Sequence, residues 1–327
     1  NIAASPDGRM VAVCTIDGTI SCYDVTDSYL GLRWVIEGAH SHVVSDVSQT
    51  PSTSRDNAAG EAGPIRSFQF SPVGYALLMA DGGQEGLTIY HAELVTNPKD
   101  IVREKLSHID VASATWSPAT LEDKMVLSLA VGAADGTIHM FQYNLGTSEI
   151  KPITQLPCPG DPDGVEGWSC THLDWFAKGT ALAAGFCRVN PAEDGDDEKE
   201  AGDCSATHEA SLFVVGMDPK TSSAQFGTSL GDGVPFFSVP KNGRHVFYTS
   251  YIETKQKDPL LLVASNVASD VGVVSKEAGN WVIQKLPGGK NLVMPAIGDD
   301  FMFPTGLAVA QISTDAGTSH PMLLVSL

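Results

Sequence analysis

The residues of this 327-residue chain whose types and spacing could do chemistry form three groups. Gly227-Thr228-Ser229-Leu230-Gly231 has the spacing of a G-x-S-x-G nucleophile turn, where a strand enters the serine and a helix leaves it, so that a strained turn presents Oγ. Gly231-Asp232-Gly233-Val234-Pro235 follows, which cannot begin a helix, and the match is read as chance in a chain rich in glycine and serine. The run Glu193-Asp194-Gly195-Asp196-Asp197-Glu198 offers carboxylates to calcium. An EF-hand loop needs Gly at its sixth position and Glu at its twelfth, and counting from Asp194 gives Lys199 and Ser205, so the run reads as a solvated loop. His40 and His42 stand close together in a Ser/Thr-rich stretch with no third ligand nearby. There is no G-x-x-x-x-G-K-[ST] phosphate loop and no aromatic/basic interleaving of the kind that stacks RNA bases. No catalytic residue, metal site or cofactor is therefore expected, and a hydrolase using Ser229 is the competing enzyme reading.

The six cysteines (Cys14, Cys22, Cys158, Cys170, Cys187, Cys204) include no C-x-x-C pair, so no thiolate metal site is expected. Cys14 and Cys22 flank the first hairpin and could face each other; buried free thiols are the expectation. The lack of any Asn-x-Ser/Thr site agrees with a reducing, intracellular setting. Net charge is −19, from 39 acidic against 20 basic residues. Such a surface repels phosphate backbones, which argues against direct nucleic-acid binding, and steers basic proteins toward itself. No apolar run approaches the roughly 18 residues of a membrane helix, and no signal-peptide pattern opens the chain, so no membrane insertion is expected.

The elements that must position any site are short strands. A phrase recurs: Ser-Pro or a near relative, a strand, Asp-Gly-Thr-Ile or a near relative, and another strand. It runs as Ser5-Pro6-Asp7-Gly8, 11–14, Asp17-Gly18-Thr19-Ile20 and Tyr23-Asp24; as Phe70-Ser71-Pro72, 75–79, Asp81-Gly82 and 87–90; and as Trp116-Ser117-Pro118, 126–131, Asp135-Gly136-Thr137-Ile138 and 140–143. Asp-Gly between apolar runs predicts a type I′ hairpin turn, which needs positive φ at both central residues. Hairpins in series predict the blades of a β-propeller.

Six blade-like units follow: 1–37, 65–105, 108–155, a fourth from Thr171-His172-Leu173-Asp174-Trp175 through 181–186 to an outer strand at 210–217, a fifth with runs at 236–240, 246–251, 260–264, 271–274 and 281–286, and a sixth with 306–312 and 322–326. A polar insert at 38–63 and an acidic interblade loop at 189–209 interrupt them. Helical periodicity is almost absent. The expected fold is all-β: one WD40-like propeller domain over 1–327 with degenerate repeats. A six-bladed ring is one reading, but because both ends fall inside blades a seven-bladed ring lacking part of its first and last blades is favoured, and the chain is expected to be a fragment.

The carboxyl half resembles a particular family. Tyr248-Thr249-Ser250-Tyr251-Ile252-Glu253, Leu262-Val263-Ala264-Ser265, Ala268-Ser269-Asp270-Val271 and Asn280-Trp281 resemble the amino-terminal propeller of the cytoplasmic-face FG nucleoporins, the CAN type of animals and its yeast counterpart. The likeness continues through Met294-Pro295, Pro304-Thr305-Gly306-Leu307-Ala308-Val309 and Pro321-Met322-Leu323-Leu324. Upstream, Trp116-Ser117-Pro118, Ala130-Val131-Gly132, Asp135-Gly136-Thr137 and Leu156-Pro157-Cys158-Pro159 fit in the same order. Ser-Pro and Asp-Gly-Thr are generic to propellers, whereas no propeller geometry demands the Ser-Tyr-Ile-Glu, Val-Ala-Ser and Pro-x-Gly succession.

The resemblance implies a non-enzymatic adaptor at the cytoplasmic face of the nuclear pore complex. It would dock the DEAD-box RNA helicase of mRNA export through the helicase's basic amino-terminal lobe, in competition with RNA, and so contribute to messenger ribonucleoprotein remodelling. Other pore subunits would be engaged through regions outside this chain. It further implies helicase contacts at Lys290, Asp299 and Asp300, on the connection into the last blade. Adjacent carboxylates on a loop can take bidentate hydrogen bonds from an arginine. Lys290 stands where the animal member has arginine and lacks that planar fork, and Phe301 and Phe303 beside the pair read as blade-core packing. The alternative is a generic WD40-type interaction scaffold with a different partner.

Overall fold

The computed structural model describes residues 1–37 apart from 16–17 and 27–28, 65–91 apart from 75 and 82–85, 103–120 apart from 107, 126–190 apart from 160–162 and 166, 207–229 apart from 219–222, 247–252, 260–285 apart from 266–267 and 278–279, 306–313, and 319–326. The insert at 38–63, the residues 191–206 and the run at 236–240 lie outside the described residues, as do His40, His42 and Cys204. The chain forms two compact units, Asn1–Leu156 and Pro157–Leu327.

The first unit holds three four-stranded antiparallel sheets. They are β1 (Ile2–Ala4), β2 (Met10–Cys14), β3 (Ile20–Val25) and β4 (Leu30–Ile36); β5 (Ile65–Phe70), β6 (Ala76–Asp81), β7 (Leu87–His91) and β8 (Arg103–Leu106); and β9 (Val111–Thr120), β10 (Val126–Ala133), β11 (Ile138–Asn144) and β12 (Glu149–Leu156). Each is a meander in chain order, as the recurring hairpin phrases require. The second unit repeats the plan in β13 (Ser169–Phe176), β14 (Ala181–Asn190), β15 (Thr207–Asp218) and β16 (Ser223–Ser229), then in β17 (Phe247–Ile252), β18 (Leu260–Ser265), β19 (Ala268–Glu277) and β20 (Asn280–Lys285). A two-stranded sheet follows, β21 (Gly306–Ser313) with β22 (Ser319–Ser326). The segment expected as the outer strand of the fourth unit is its third strand: β15 pairs with β14 from Ala181↔Gly216 to Asn190↔Thr207, and β16 takes the edge.

The Ser-Pro phrase has a local cause. Ser71 N–H donates to the Ala76 carbonyl at 2.7 Å, Gly74 N–H donates to the Ser71 carbonyl at 2.9 Å, and the Ala76 N–H donates to the Ser71 hydroxyl at 3.2 Å. Ser5 repeats the set, its hydroxyl accepting from Met10 N–H at 2.9 Å while donating to the Asp7 carboxylate at 2.7 Å. One serine thus closes the turn between the first two strands of a sheet. The Asp-Gly turn departs from the expected type I′. At Asp135-Gly136 only the glycine has positive φ, 80°, and the Gly136 N–H donates to Ala133 O at 3.1 Å. This is a type I turn closed by a glycine bulge, with the Asp135 carboxylate accepting from the Thr137 N–H at 2.9 Å. Left-handed φ at both central residues, as type I′ needs, occurs instead at Lys178 (54°) and Gly179 (81°), between β13 and β14.

Packing explains which strands alternate and which do not. In β2, Met10, Ala12 and Cys14 are buried while Val11 and Val13 are half-buried. Ala12, Cys22 and Trp34 lie side by side across the first sheet and pack with Leu77 and Tyr90 of the second. The neighbouring pair Leu78 and Ile89 packs instead with Trp116, Leu129 and Val131 of the third sheet. The second sheet is therefore covered on both faces, and β6 and β7 read as continuous apolar runs. Among the described cysteines, Cys14, Cys22, Cys158, Cys170 and Cys187 are buried and stand in no disulfide. Cys14 and Cys22 are diagonal neighbours, opposite Ile20 and Ala12 respectively, and burial pushes the Cys22 thiol up to about 11.

Ser71 is fully buried. Ser71→Ala leaves the Ala76 N–H without its side-chain acceptor, and the expected cost is about 1–2 kcal/mol, read as a lower melting temperature in thermal unfolding. An unchanged melting temperature would show that the hydroxyl does not hold this turn.

Candidate functional site

Lys290, Asp299 and Asp300 lie outside the described residues, as do Phe301 and Phe303. They belong to the connection between β20, the outer strand of the fifth sheet, and β21, the first strand of the sixth. Ser229 is the last residue of β16, paired with Phe213, and the residues after it lie outside the described residues.

The structure brings together three polar side chains that no motif of the sequence joins. His172 and Asp174 stand two apart on β13, so both project from one face, alternating with the buried Leu173 and Trp175. Thr249 on β17 lies between them. Its hydroxyl donates to the Asp174 carboxylate, with 2.5 Å from Oγ1 to Oδ2, and is 2.9 Å from His172 Nε2. All three are half-buried. Burial pulls the imidazole down to about 4. It also pushes the Asp174 carboxyl up to about 6, against the opposing effect of hydrogen bonds from Thr249 and the Trp175 backbone. At neutral pH the carboxylate is charged and the ring is neutral. Because the single hydroxyl proton of Thr249 goes to Asp174, His172 is the donor to Thr249 through Nε2–H.

The order of the groups limits their chemistry. In a hydrolase triad the histidine stands between nucleophile and carboxylate and accepts the nucleophile's proton. Here the hydroxyl stands between histidine and carboxylate, so the arrangement joins two first strands. The first unit has a counterpart. Ser67 and Gln69, also two apart, reach from β5 to β9, where Ser67 Oγ accepts from Ala114 N–H and Gln69 Nε2 donates to Ala114 O, each at 2.9 Å. Among the described residues no three His, Cys, Asp or Glu side chains gather as a metal site.

No protein-family model matches the chain, and no curated protein matches it in sequence. Solved structures do. The N-terminal domain of Nup159 is 14% identical with a TM-score of 0.53, over 99% of this chain and 85% of that one. The β-propeller domain of Cps50 (Swd1) from Myceliophteria thermophila is 11% identical with a TM-score of 0.52, over 100% and 83%. The periplasmic gluconolactonase PpgL of Pseudomonas aeruginosa is 16% identical with a TM-score of 0.52, over 89% and 68%. At these identities the likeness shows a fold: an all-β chain of antiparallel sheets with the β-propeller architecture.

The two shifts oppose each other in the pH dependence of stability. Below about 6.5 the unfolded chain protonates its histidine while folded His172 stays neutral, so this term lowers stability as pH falls toward about 4. Folded Asp174 takes a proton near 6 and its unfolded form only near 3.8, so this term raises stability over nearly the same interval. In Asp174→Asn the histidine term stands alone, and urea unfolding should show stability falling between pH 6.5 and 4 by on the order of 1 kcal/mol per pH unit relative to wild type. His172→Gln should show the opposite slope. Equal slopes in both variants would refute the paired titration.

Proposed function

We propose that this chain is propeller from a nucleoporin of mRNA export, a non-enzymatic platform that docks a DEAD-box RNA helicase at the cytoplasmic face of the nuclear pore. The observation that carries the reading is the residue succession Ser-Tyr-Ile-Glu, Val-Ala-Ser, Asn-Trp and Pro-x-Gly, which runs in family order from β17 to β22. The fold supports it, since a nucleoporin domain of the same architecture spans almost the whole chain. The six sheets are in this reading six of seven blades, the sixth present as two strands among the described residues.

Charge supports the kind of partner. A chain of net charge −19 favours encounter with a basic face. In this reading Asp299 and Asp300 accept hydrogen bonds from a helicase arginine, and Lys290 meets an acidic group beside it. Such pairs matter only where the interface shields them from water, where breaking one costs about 2–5 kcal/mol. RNA competes because the helicase lobe cannot hold both at once.

The test is binding of the chain to a purified mRNA-export DEAD-box helicase by titration calorimetry, with and without single-stranded RNA, repeated with Asp299→Arg/Asp300→Arg. The expected outcome is binding that RNA antagonises and that the double variant weakens by about 30-fold or more. Binding that survives the charge reversal moves the contact to another loop. Failure of the unaltered chain to bind leaves an interaction scaffold with a different partner.

A further inference from the structure

We propose that the open edge of β4 docks an extended segment of another protein, apolar at alternate positions and flanked by basic residues, which adds to the first sheet as a fifth strand. Its use does not depend on the helicase reading.

β4 is the outer strand of the first sheet, so one of its sides has no described strand beside it. Which groups that side carries follows from the hairpin. Thr26 N–H donates to the Tyr29 carbonyl at 3.1 Å, whereas Val25 N–H donates to Arg9 O at 2.7 Å, on the β2 side of β3. Bonded and non-bonded pairs alternate along an antiparallel ladder. Gly31 therefore exchanges bonds with Asp24, while Leu30 and Leu32, opposite Val25 and Tyr23, turn both N–H and C=O outward. The same two residues are exposed, at 63% and 60%. Tyr29 and Gly31 alternate with them and so belong to the opposite face. Tyr29 is 66% exposed, and its ring lies across Gly31, where a Cβ would stand 3.1 Å from Cε2.

Outward backbone groups spaced two residues apart are matched by another extended chain. Tyr29, Leu30 and Leu32 are three of the six large apolar side chains exposed among the described residues, which makes the contact apolar. The other outer strands of the first unit are guarded. β8 carries Arg103, Glu104 and Lys105, and β12 carries Lys151 and Pro152. β4 has neither lysine nor proline, and its one charge, Arg33, pairs with Asp24 at 3.1 Å. The bulge at Arg33 ends the regular stretch, so the added segment is short. Charge decides between a partner and a second copy. Two chains of net charge −19 repel each other, whereas a segment with basic residues at its ends is attracted.

The probe is a fluorescent synthetic peptide of alternating valine and threonine with two lysines at each end, titrated by anisotropy and by amide hydrogen exchange of the chain. The expected result is saturable binding that slows exchange at Leu30 and Leu32. The same peptide with glutamates in place of the lysines should bind about tenfold or more weakly at low salt. Leu32→Pro removes an N–H that points outward. The β3–β4 ladder and the melting temperature should therefore survive, while peptide binding falls by about tenfold or more. If that variant fails to fold, Leu30→Lys/Leu32→Lys keeps every backbone bond and should weaken binding as much. No binding of the lysine-flanked peptide, or equal binding of the glutamate-flanked one, overturns the proposal. So does binding that these variants leave unchanged, or a dimer in sedimentation that they dissolve.

Discussion

Among the described residues the first strand of each sheet is also an edge, and its outward N–H and C=O groups have no described strand to pair with. A buried backbone group left in that state costs as much as a lost hydrogen bond. Between the second and third sheets, Ser67 and Gln69, two apart on one first strand, close both backbone groups of Ala114 on the next. His172 and Asp174, placed the same way, hold a side chain rather than the backbone, the Thr249 hydroxyl. Apolar faces can slide against one another with little penalty, whereas these bonds have a direction and a length. Once packing has brought two faces together, such bonds fix how far one sheet is shifted on the next.

Behind the seams the sheets are joined by apolar layers. The second sheet is the clearest case, with Leu77 and Tyr90 given to one neighbour and Leu78 and Ile89 to the other. Its two central strands, β6 and β7, thus bury their described apolar side chains in two separate layers.

Much of the fold was legible because its signals are short. The Ser71 hydroxyl meets an N–H five residues later, so the turn is encoded within one phrase. Six units read from the chain correspond to six sheets among the described residues. The failures have physical causes. Asp-Gly suggested type I′, but the aspartate carboxylate stabilises its own turn by accepting the Thr137 N–H, leaving left-handed geometry to the glycine alone. The order of strands in the fourth sheet was misread because the pairing of β14 with β15 resumes across a long acidic interruption. The candidate cluster was hidden for a related reason. Its partners are 75 and 77 residues apart, and each side chain alone is a polar residue on a half-buried strand.

The amino-acid sequence by itself determined the succession of short strands joined by tight turns and which faces are apolar, since each depends on a few neighbouring residues and a period of two. The resemblance carried in β17 to β22 is likewise a property of the residues alone. Only the tertiary structure decided which polar groups meet. A hydrogen bond between strands of different sheets depends on the seating of whole faces, and that seating sums contributions from residues far apart along the chain. The alternation of His172 and Asp174 with Leu173 and Trp175 set the direction in which those two side chains point. That Thr249 waits there, at hydrogen-bonding distance from both, follows from packing.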